Sequence, residues 1–367
     1  MTRLMTFELC GLVAACAAIL SYLCSFLTQR IAWKWHFVDE PVGGRKIHGK
    51  PMPFLGGLGI AAVIIVFVIC IQLFQPGLFK GLNVSQLFGY LLGVIILLIG
   101  GMIDDRHPLP PRWQIVFPIL AALCVIASGT GIVQVTRLAG HGGFSLVWWQ
   151  QAIHFGDWSM MLSLPSDLFT FVWLLLATYA TKVQDGLDGL VTGMTIIGAG
   201  LVGALSLSFL FFQPSIAIFA ALVGGAFLGF LPHNMNPAKQ FLGEGGSTLA
   251  GFSLGVLAIL SSVKIAIALA VLAIPMADVM VVIIGRLRRG VPWYRGDMTH
   301  LHFRLLRAGI SHRKTVLLLW GISLFAGIGA LSLQTKGKFF LISGLVIATA
   351  LMSYVAGFIS DSFEKKN

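Results

Sequence analysis

Residues 171–190 read FVWLLLATYATKVQDGLDGL. An apolar stretch runs without a break into Lys182, Asp185 and Asp188. It is one of a series. Similar runs cover residues 7–28, 54–75, 86–103, 113–133, 166–181, 189–212, 214–231, 248–263, 265–284, 315–334 and 339–360. Most approach the ~20 apolar residues a helix needs to cross a bilayer. The chain is 57% hydrophobic and 11% charged, whereas a soluble domain carries about a quarter charged residues. The pattern predicts an all-α polytopic membrane protein of about eleven transmembrane helices, a single integral membrane domain over residues 1–367. The first run is too long for a signal-peptide core and reads as a helix.

The loops between runs form two sets. One contains 29–53, 104–112, 182–188, 232–247, 285–314 and the tail 361–367, and holds 19 of the 25 Lys and Arg residues. Positive charge collects on the cytoplasmic side, so this set is expected inside, with the N-terminus outside and the C-terminus cytoplasmic. The net charge of +11 reflects that bias. No soluble basic domain exists to bind nucleic acid. Most carboxylates fall in the same set, which topology alone does not require. A polar site on one face would. The five cysteines lie inside apolar runs without metal-ligand spacing and read as small packing residues. On the other side, GIVQVTRL and FGDWSMML within 131–162 read as two short strands, a small periplasmic β-hairpin.

Five polar stretches share the cytoplasmic side. GGMIDDRHPLPPRW (100–113) places Asp104 and Asp105 at a helix end. Adjacent carboxylates repel and call for a nearby cation or a shared proton. A prenyl-synthase pattern would need a further Asp where Pro108 stands. In KVQDGLDGL (182–190), Asp185 and Asp188 are three apart and share a face if helical. The Ala-Arg of phosphatidyl-alcohol transferases does not follow. HNMNPAKQFLGEGGSTLAGF (233–252) supplies Asn234, Phe241 for stacking, Glu244 for a hard cation, and a Gly-rich helix start that suits an anion. RGDMTHLHFRLLRAG (295–309) carries Asp297, His300, His302 and Arg304. Histidines two apart are poor zinc spacing, and with arginine they suit phosphate oxygens better. DEPVGGRKIHGKPMPFLGGLGI (39–60) adds Lys46 and His48. Acids for a divalent cation, bases for phosphate and an apolar belt point to phosphoryl chemistry between a nucleotide and a lipid. A transporter would place paired acids mid-span. Here they sit at loop ends.

The ordered set RKIHGKPMPFLGGL, GMIDDRHPL, DGLDGLVTG, NPAKQFLGEGGSTLAGF and HLHFRLLRAGIS, spanning Val38 to Ser311, resembles the polyprenyl-phosphate N-acetylhexosamine-1-phosphate transferases. The D-x-x-H-x-H ending followed by RLLRAG looks more like the undecaprenyl-phosphate N-acetylglucosamine-1-phosphate branch than the muramoyl-pentapeptide branch. The resemblance implies transfer of a sugar 1-phosphate from a UDP-N-acetylhexosamine to undecaprenyl phosphate, with Mg²⁺ or Mn²⁺, at the cytoplasmic face of the bacterial inner membrane. It is compatible with a homodimer. It assigns Asp104 and Asp105 to the lipid phosphate and Asp185, Asp188, Asn234 and Phe241 to the nucleotide. Glu244 takes the metal, and Lys46, His48, His300, His302 and Arg304 contact phosphate or sugar.

Three positions depart from the family pattern. Glu244 replaces Asp, Phe303 stands where a third His often does, and Lys182 replaces an Asn close to the metal. A lysine ammonium does not ligate Mg²⁺. Lys182, placed with the catalytic residues, is therefore expected to contact a donor phosphate or to pair with Asp104 or Asp105.

Overall fold

The computed structural model describes residues 2–41, 49–137, 143–155, 158–261, 265–292 and 298–364. The helices are α1 (Arg3–Lys34), α2 (Gly56–Phe74), α3 (Val84–Arg106), a single turn α4 (Pro111–Gln114), α5 (Val116–Ala127), α6 (Leu164–Gln184), α7 (Leu190–Ser206), α8 (Pro214–Asn234), α9 (Gly243–Leu260), α10 (Ile265–Val271), α11 (Ala273–Arg288), α12 (Leu301–Arg307), α13 (His312–Ser332) and α14 (Thr335–Glu364). The protein is all-α and polytopic. Each of the eleven apolar runs falls on a helix or a helix pair. Among the described residues, eight helices are long and apolar enough to span alone, and α10 with α11 forms a pair bent by 62°. Pro111–Ala127 and Leu190–Ser206 are shorter apolar segments. Helices satisfy their own backbone groups, which hydrocarbon demands.

The outer surface is apolar, as a lipid-facing surface should be: Phe74 and Phe325 are each 76% exposed. The interior is organised around α9, which packs against α2, α3, α6, α7, α8 and α10. Its sequence, GEGGSTLAGFSLGVLAIL, is rich in small residues, which lets neighbouring backbones come close. Polar side chains tie it in place. Tyr90 Oη and Ser253 Oγ lie 2.9 Å apart, Trp173 donates to the Gly255 carbonyl at 3.1 Å, and Thr181 donates to the Ser247 carbonyl at 2.8 Å. At the α9 N-terminus, a Cβ on Gly57 would strike Gly246, and one on Gly101 would strike Gly245. The glycines of GEGG therefore admit α2 and α3 into direct backbone contact.

Six short strands, β1 (Val38–Asp39), β2 (Met52–Pro53), β3 (Gln134–Thr136), β4 (Gly143–Ser145), β5 (Gln151–Phe155) and β6 (Trp158–Leu162), form three antiparallel pairs. The expected single hairpin is corrected. GIVQVTRL supplies β3, which pairs with β4, and FGDWSMML supplies β6, which pairs with β5. β5 and β6, two residues apart, close the shortest loop available to either, and β4 pairs back onto β3. These hairpins lie beside the N-terminal end of α6, where Ser166 donates to the Ile132 carbonyl and Thr170 accepts from the Ile132 N–H. The opposite end of the bundle holds the C-termini of α3, α6 and α8 and the N-terminus of α9. There the β1–β2 segment meets the α8–α9 loop. Phe241 N–H donates to the Pro53 carbonyl at 3.0 Å, and Gly56 N–H to the Phe241 carbonyl at 3.1 Å.

Candidate active site

Asp104 and Asp105 end α3, and successive helical positions face different ways. Asp105 turns to α9 and accepts the Glu244 backbone N–H on both oxygens, at 3.0 and 3.2 Å. Gly243 holds φ +73° there, and a Cβ would come within 2.5 Å of Asp105 Oδ2. The group that receives this helix start is thus a carboxyl of the protein itself. Asp104 turns to the loop that follows. Its Oδ1 accepts the Leu109 N–H at 2.6 Å and the Gln114 amide at 3.2 Å. Oδ2 has no hydrogen-bond partner among the described residues.

Gln114 ends the α4 turn and was not singled out from sequence, where it sits inside an apolar run. Its Nε2 donates to Asp104 and to the Leu109 carbonyl, and its Oε1 accepts from Lys182 Nζ at 3.0 Å. Lys182 also forms an ion pair with Glu244 Oε1. The expected pairing of Lys182 with Asp104 or Asp105 is corrected: its partner is Glu244, and it reaches Asp104 only through Gln114. The reason is geometric. The last turn of α6 packs against the first turn of α9, Asp105 is committed to the α9 backbone, and Gln114 stands between Lys182 and Asp104. A small open cleft of about 10 Å³ adjoins this line, bounded by Asp104, Gln114 and Glu244 together with Leu97, Phe117, Pro118 and Thr248.

Asp185 caps the C-terminus of α6. Burial, then the neighbouring Glu244 and Asp188 carboxylates, push it up to about 8. Asp188 Oδ2 accepts the Asn236 amide at 2.9 Å and the Ala238 N–H at 3.1 Å. Asn234 is buried. Its Oδ1 accepts from Gly189 N–H at 3.1 Å and Thr192 Oγ1 at 2.7 Å, and its Nδ2 donates to the Gln240 carbonyl at 3.1 Å. These two residues clasp the DGLDGL turn to the α8–α9 loop. Arg313, also missed from sequence, braces the same loop through two bonds to the Asn236 carbonyl, at 2.9 and 3.1 Å. The Phe241 ring lies 6.3 Å from that of Phe54.

The histidine motif docks from α12. His300 Nδ1 lies 2.9 Å from Asp278 Oδ2, and Leu301 N–H donates to Asp278 Oδ1 at 2.8 Å. A carboxylate inside an apolar run is costly, and this is the signal that marks Asp278 in the sequence. His302 is 0% exposed, and neither ring nitrogen has a hydrogen-bond partner among the described residues. It stacks nearly parallel to His300 and packs under Gly186, where a Cβ would collide with it. Burial is the main cause that lowers its pKa to about 3, and the neighbouring His300 and His312 lower it further against the opposing effect of Asp278. Phe303, in place of a third histidine, lies against the His302 ring at 4.2 Å. Arg304 donates to the Thr299 and Ser353 carbonyls at 2.6 and 2.9 Å and so ties α12 to α14. Lys46, His48 and Asp297 lie outside the described residues.

The structure therefore joins Asp104, Gln114, Lys182 and Glu244 into one line and seats the Asp185–Asp188 turn on the loop beside it. It gives His300 and Arg304 polar partners within the protein and packs His302 against Gly186, His300 and Phe303 with neither ring nitrogen hydrogen-bonded among the described residues. The profile of glycosyl transferase family 4 matches residues 87–262. Over 92% of its length the chain is 28% identical to a Bacillus subtilis protein named "Probable undecaprenyl-phosphate N-acetylglucosaminyl 1-phosphate transferase", of which 89% is covered. It is 30% identical to the "Decaprenyl-phosphate N-acetylglucosaminephosphotransferase" of Mycolicibacterium smegmatis, over 93% of this chain and 87% of that one. It is 27% identical to the "Undecaprenyl-phosphate alpha-N-acetylglucosaminyl 1-phosphate transferase" of Escherichia coli K12, over 84% and 79%. With its motifs in order along one polar end of a helical membrane bundle, the chain belongs to glycosyl transferase family 4.

Proposed function

We propose that this protein transfers N-acetylglucosamine 1-phosphate from UDP-N-acetylglucosamine to undecaprenyl phosphate, yielding the lipid diphosphate sugar and UMP. The observation that carries the reading is the Asp104–Gln114–Lys182–Glu244 line beside a pocket with apolar walls. It offers acid and base groups to phosphates at the edge of hydrocarbon, where a polyprenyl chain can remain in the membrane. The names carried by the relatives support the same donor and acceptor classes.

In this reading an oxygen of the acceptor phosphate attacks the β-phosphorus of the donor. The bond from that phosphorus to the oxygen bridging the α-phosphate breaks, and UMP leaves. Asp104, with one oxygen uncommitted, meets the acceptor phosphate and orients it. A phosphate dianion needs little activation, so positioning and charge neutralisation dominate. Asp188, Asp185 and Phe241 line the nucleotide side, while Asn234 holds the loop that presents them. Neutral, buried His302 supports the turn at Gly186.

Among the described residues no three His, Cys, Asp or Glu side chains gather as a metal cage; the Glu244 carboxylate with the Gln114 oxygen is the set that would hold Mg²⁺ or Mn²⁺, which take one or two carboxylates and complete their shell with water and substrate phosphates. When bound, such an ion supplies positive charge against the pyrophosphate oxygens. The 19 Lys and Arg residues in the loops of this end favour a cytoplasmic site in the bacterial inner membrane. The test is UMP release by the purified protein in detergent, given undecaprenyl phosphate, Mg²⁺ and either UDP-N-acetylglucosamine or UDP-N-acetylmuramoyl-pentapeptide. UMP with the first donor alone is expected. UMP with neither, or with the second alone, would overturn the reading.

A further inference from the structure

Two of the three departures from the family pattern are partners in space. Lys182, where an asparagine is usual, forms its ion pair with Glu244, where an aspartate is usual. The longer carboxylate at the first turn of α9 and the long amine at the last turn of α6 meet across the α6–α9 contact. The ammonium is held further by Gln114 Oε1 at 3.0 Å and lies 5.5 Å from the centre of the Tyr179 ring. Lys182 and Glu244 side chains are only 15% and 23% exposed, so the pair is largely withdrawn from water.

The surroundings are strongly one-sided. Asp105 holds the Glu244 backbone, Asp104 is linked to Lys182 through Gln114, and Asp185 has Glu244 and Asp188 as neighbouring carboxylates. Among the described residues, Lys182 is the cation that the structure sets beside them. An ammonium and a small divalent ion seek the same hard oxygens. The Glu244 and Gln114 oxygens bound by Lys182 are the donors a divalent ion would take, and two cations in van der Waals contact on one carboxylate repel.

We propose that Lys182 is a tethered cation that occupies the Glu244 seat when no divalent ion is there, and that Mg²⁺ or Mn²⁺ must displace it to bind. Gln114 gives the displaced side chain somewhere to go. Its Oε1 already accepts from Lys182 while its Nε2 donates to Asp104. The ammonium can therefore leave Glu244 and stay on Gln114, near the carboxylate assigned to the acceptor. Compared with a neutral residue at this position, Lys182 weakens divalent-ion binding and stabilises the acidic cluster in the ion-free protein.

This inference rests on the reading of Glu244 as the metal seat, but its test needs neither substrate. The full-length protein in detergent is titrated with Mn²⁺ alone, and free Mn²⁺ is followed by electron paramagnetic resonance. Unfolding midpoints are recorded in parallel, in chelator and at rising Mn²⁺. Lys182→Met is expected to bind Mn²⁺ on the order of tenfold more tightly than the wild type, because a charge in direct contact with the seat has been removed. It should melt lower in chelator and recover more steeply as Mn²⁺ is added. Lys182→Arg should stay close to the wild type. Glu244→Gln, alone or with Lys182→Met, should lose the site. If Lys182→Met does not survive extraction, Lys182→Asn serves the same comparison. Unchanged or weaker Mn²⁺ binding in the neutral variants would overturn the proposal, as would retention of the site in Glu244→Gln. Failure of the UMP assay with normal Mn²⁺ titrations would instead count against the proposed transferase activity.

Discussion

The carboxylate of Asp105 receives the backbone N–H of Glu244 on both oxygens, while its neighbour Asp104 faces the other way and keeps Oδ2 without a protein partner among the described residues. Two adjacent aspartates, alike in the sequence, are therefore given different work. Asp105 fixes the start of α9 and the backbone of Glu244. Asp104 is the one able to meet a ligand.

This division predicts unequal effects of the same substitution. An asparagine amide oxygen can accept the same Glu244 N–H, so Asp105→Asn should fold normally and keep a measurable fraction of transfer activity. Asp104→Asn should fold equally well and lose at least about a hundredfold in kcat, the scale of a lost acid–base or positioning group. The check is kcat for UMP release alongside unfolding midpoints in detergent. Near-normal turnover in Asp104→Asn would remove its assigned role.

Asn234 spends its side chain on Gly189, Thr192 and Gln240. Its replacement by alanine should cost stability first, about 2–4 kcal/mol, because several buried groups lose partners together. The measurement is denaturant or thermal unfolding with KM for the UDP-sugar. A large rise in KM at unchanged stability would show instead that Asn234 contacts the nucleotide.

Gly186→Ala places a methyl group where the His302 and Phe303 rings lie. Overpacking of this kind costs about 1–3 kcal/mol, and here it pushes α12 off the DGLDGL turn. A lower unfolding midpoint is expected, together with weaker UDP-sugar binding by calorimetry. The milder companion His302→Ala, Gly186→Ala should restore part of both.

His302 predicts a pH dependence. Its pKa in the folded protein is about 3, against 6.5 for the free side chain. The unfolded chain takes up a proton below 6.5 that the folded protein refuses. The stability tied to neutral His302 is therefore complete above pH 6.5 and is lost as pH falls from there toward 3. By pH 5 the loss amounts to at most about 2 kcal/mol. Asp185, pushed up to about 8, acts in the opposite direction over this range, so the readout is a difference: between pH 5 and 7.5 the unfolding midpoint of the wild type should fall with acid relative to that of His302→Gln, with a slope of about one proton.

The sequence by itself determined the fold class and the end of the bundle on which the polar motifs gather. The physical reason is the bilayer. Hydrocarbon demands long apolar helices and expels charge to their ends, so hydropathy and the placement of Lys, Arg, Asp and Glu are written directly into the order of residues. All eleven runs became helical segments, and the stretch at 182–190 became a turn at a helix end. Only the tertiary structure decided who touches whom. Lys182 and Glu244 are 62 positions apart, and no local spacing states that the last turn of α6 meets the first turn of α9. Nor does the sequence show that Gln114, at the head of an apolar run, links Lys182 to Asp104, or that Asn234 is saturated by its own loop. Such pairings depend on the rotation and close approach of helices, which glycines such as Gly57 and Gly101 allow and which exist once the bundle has packed.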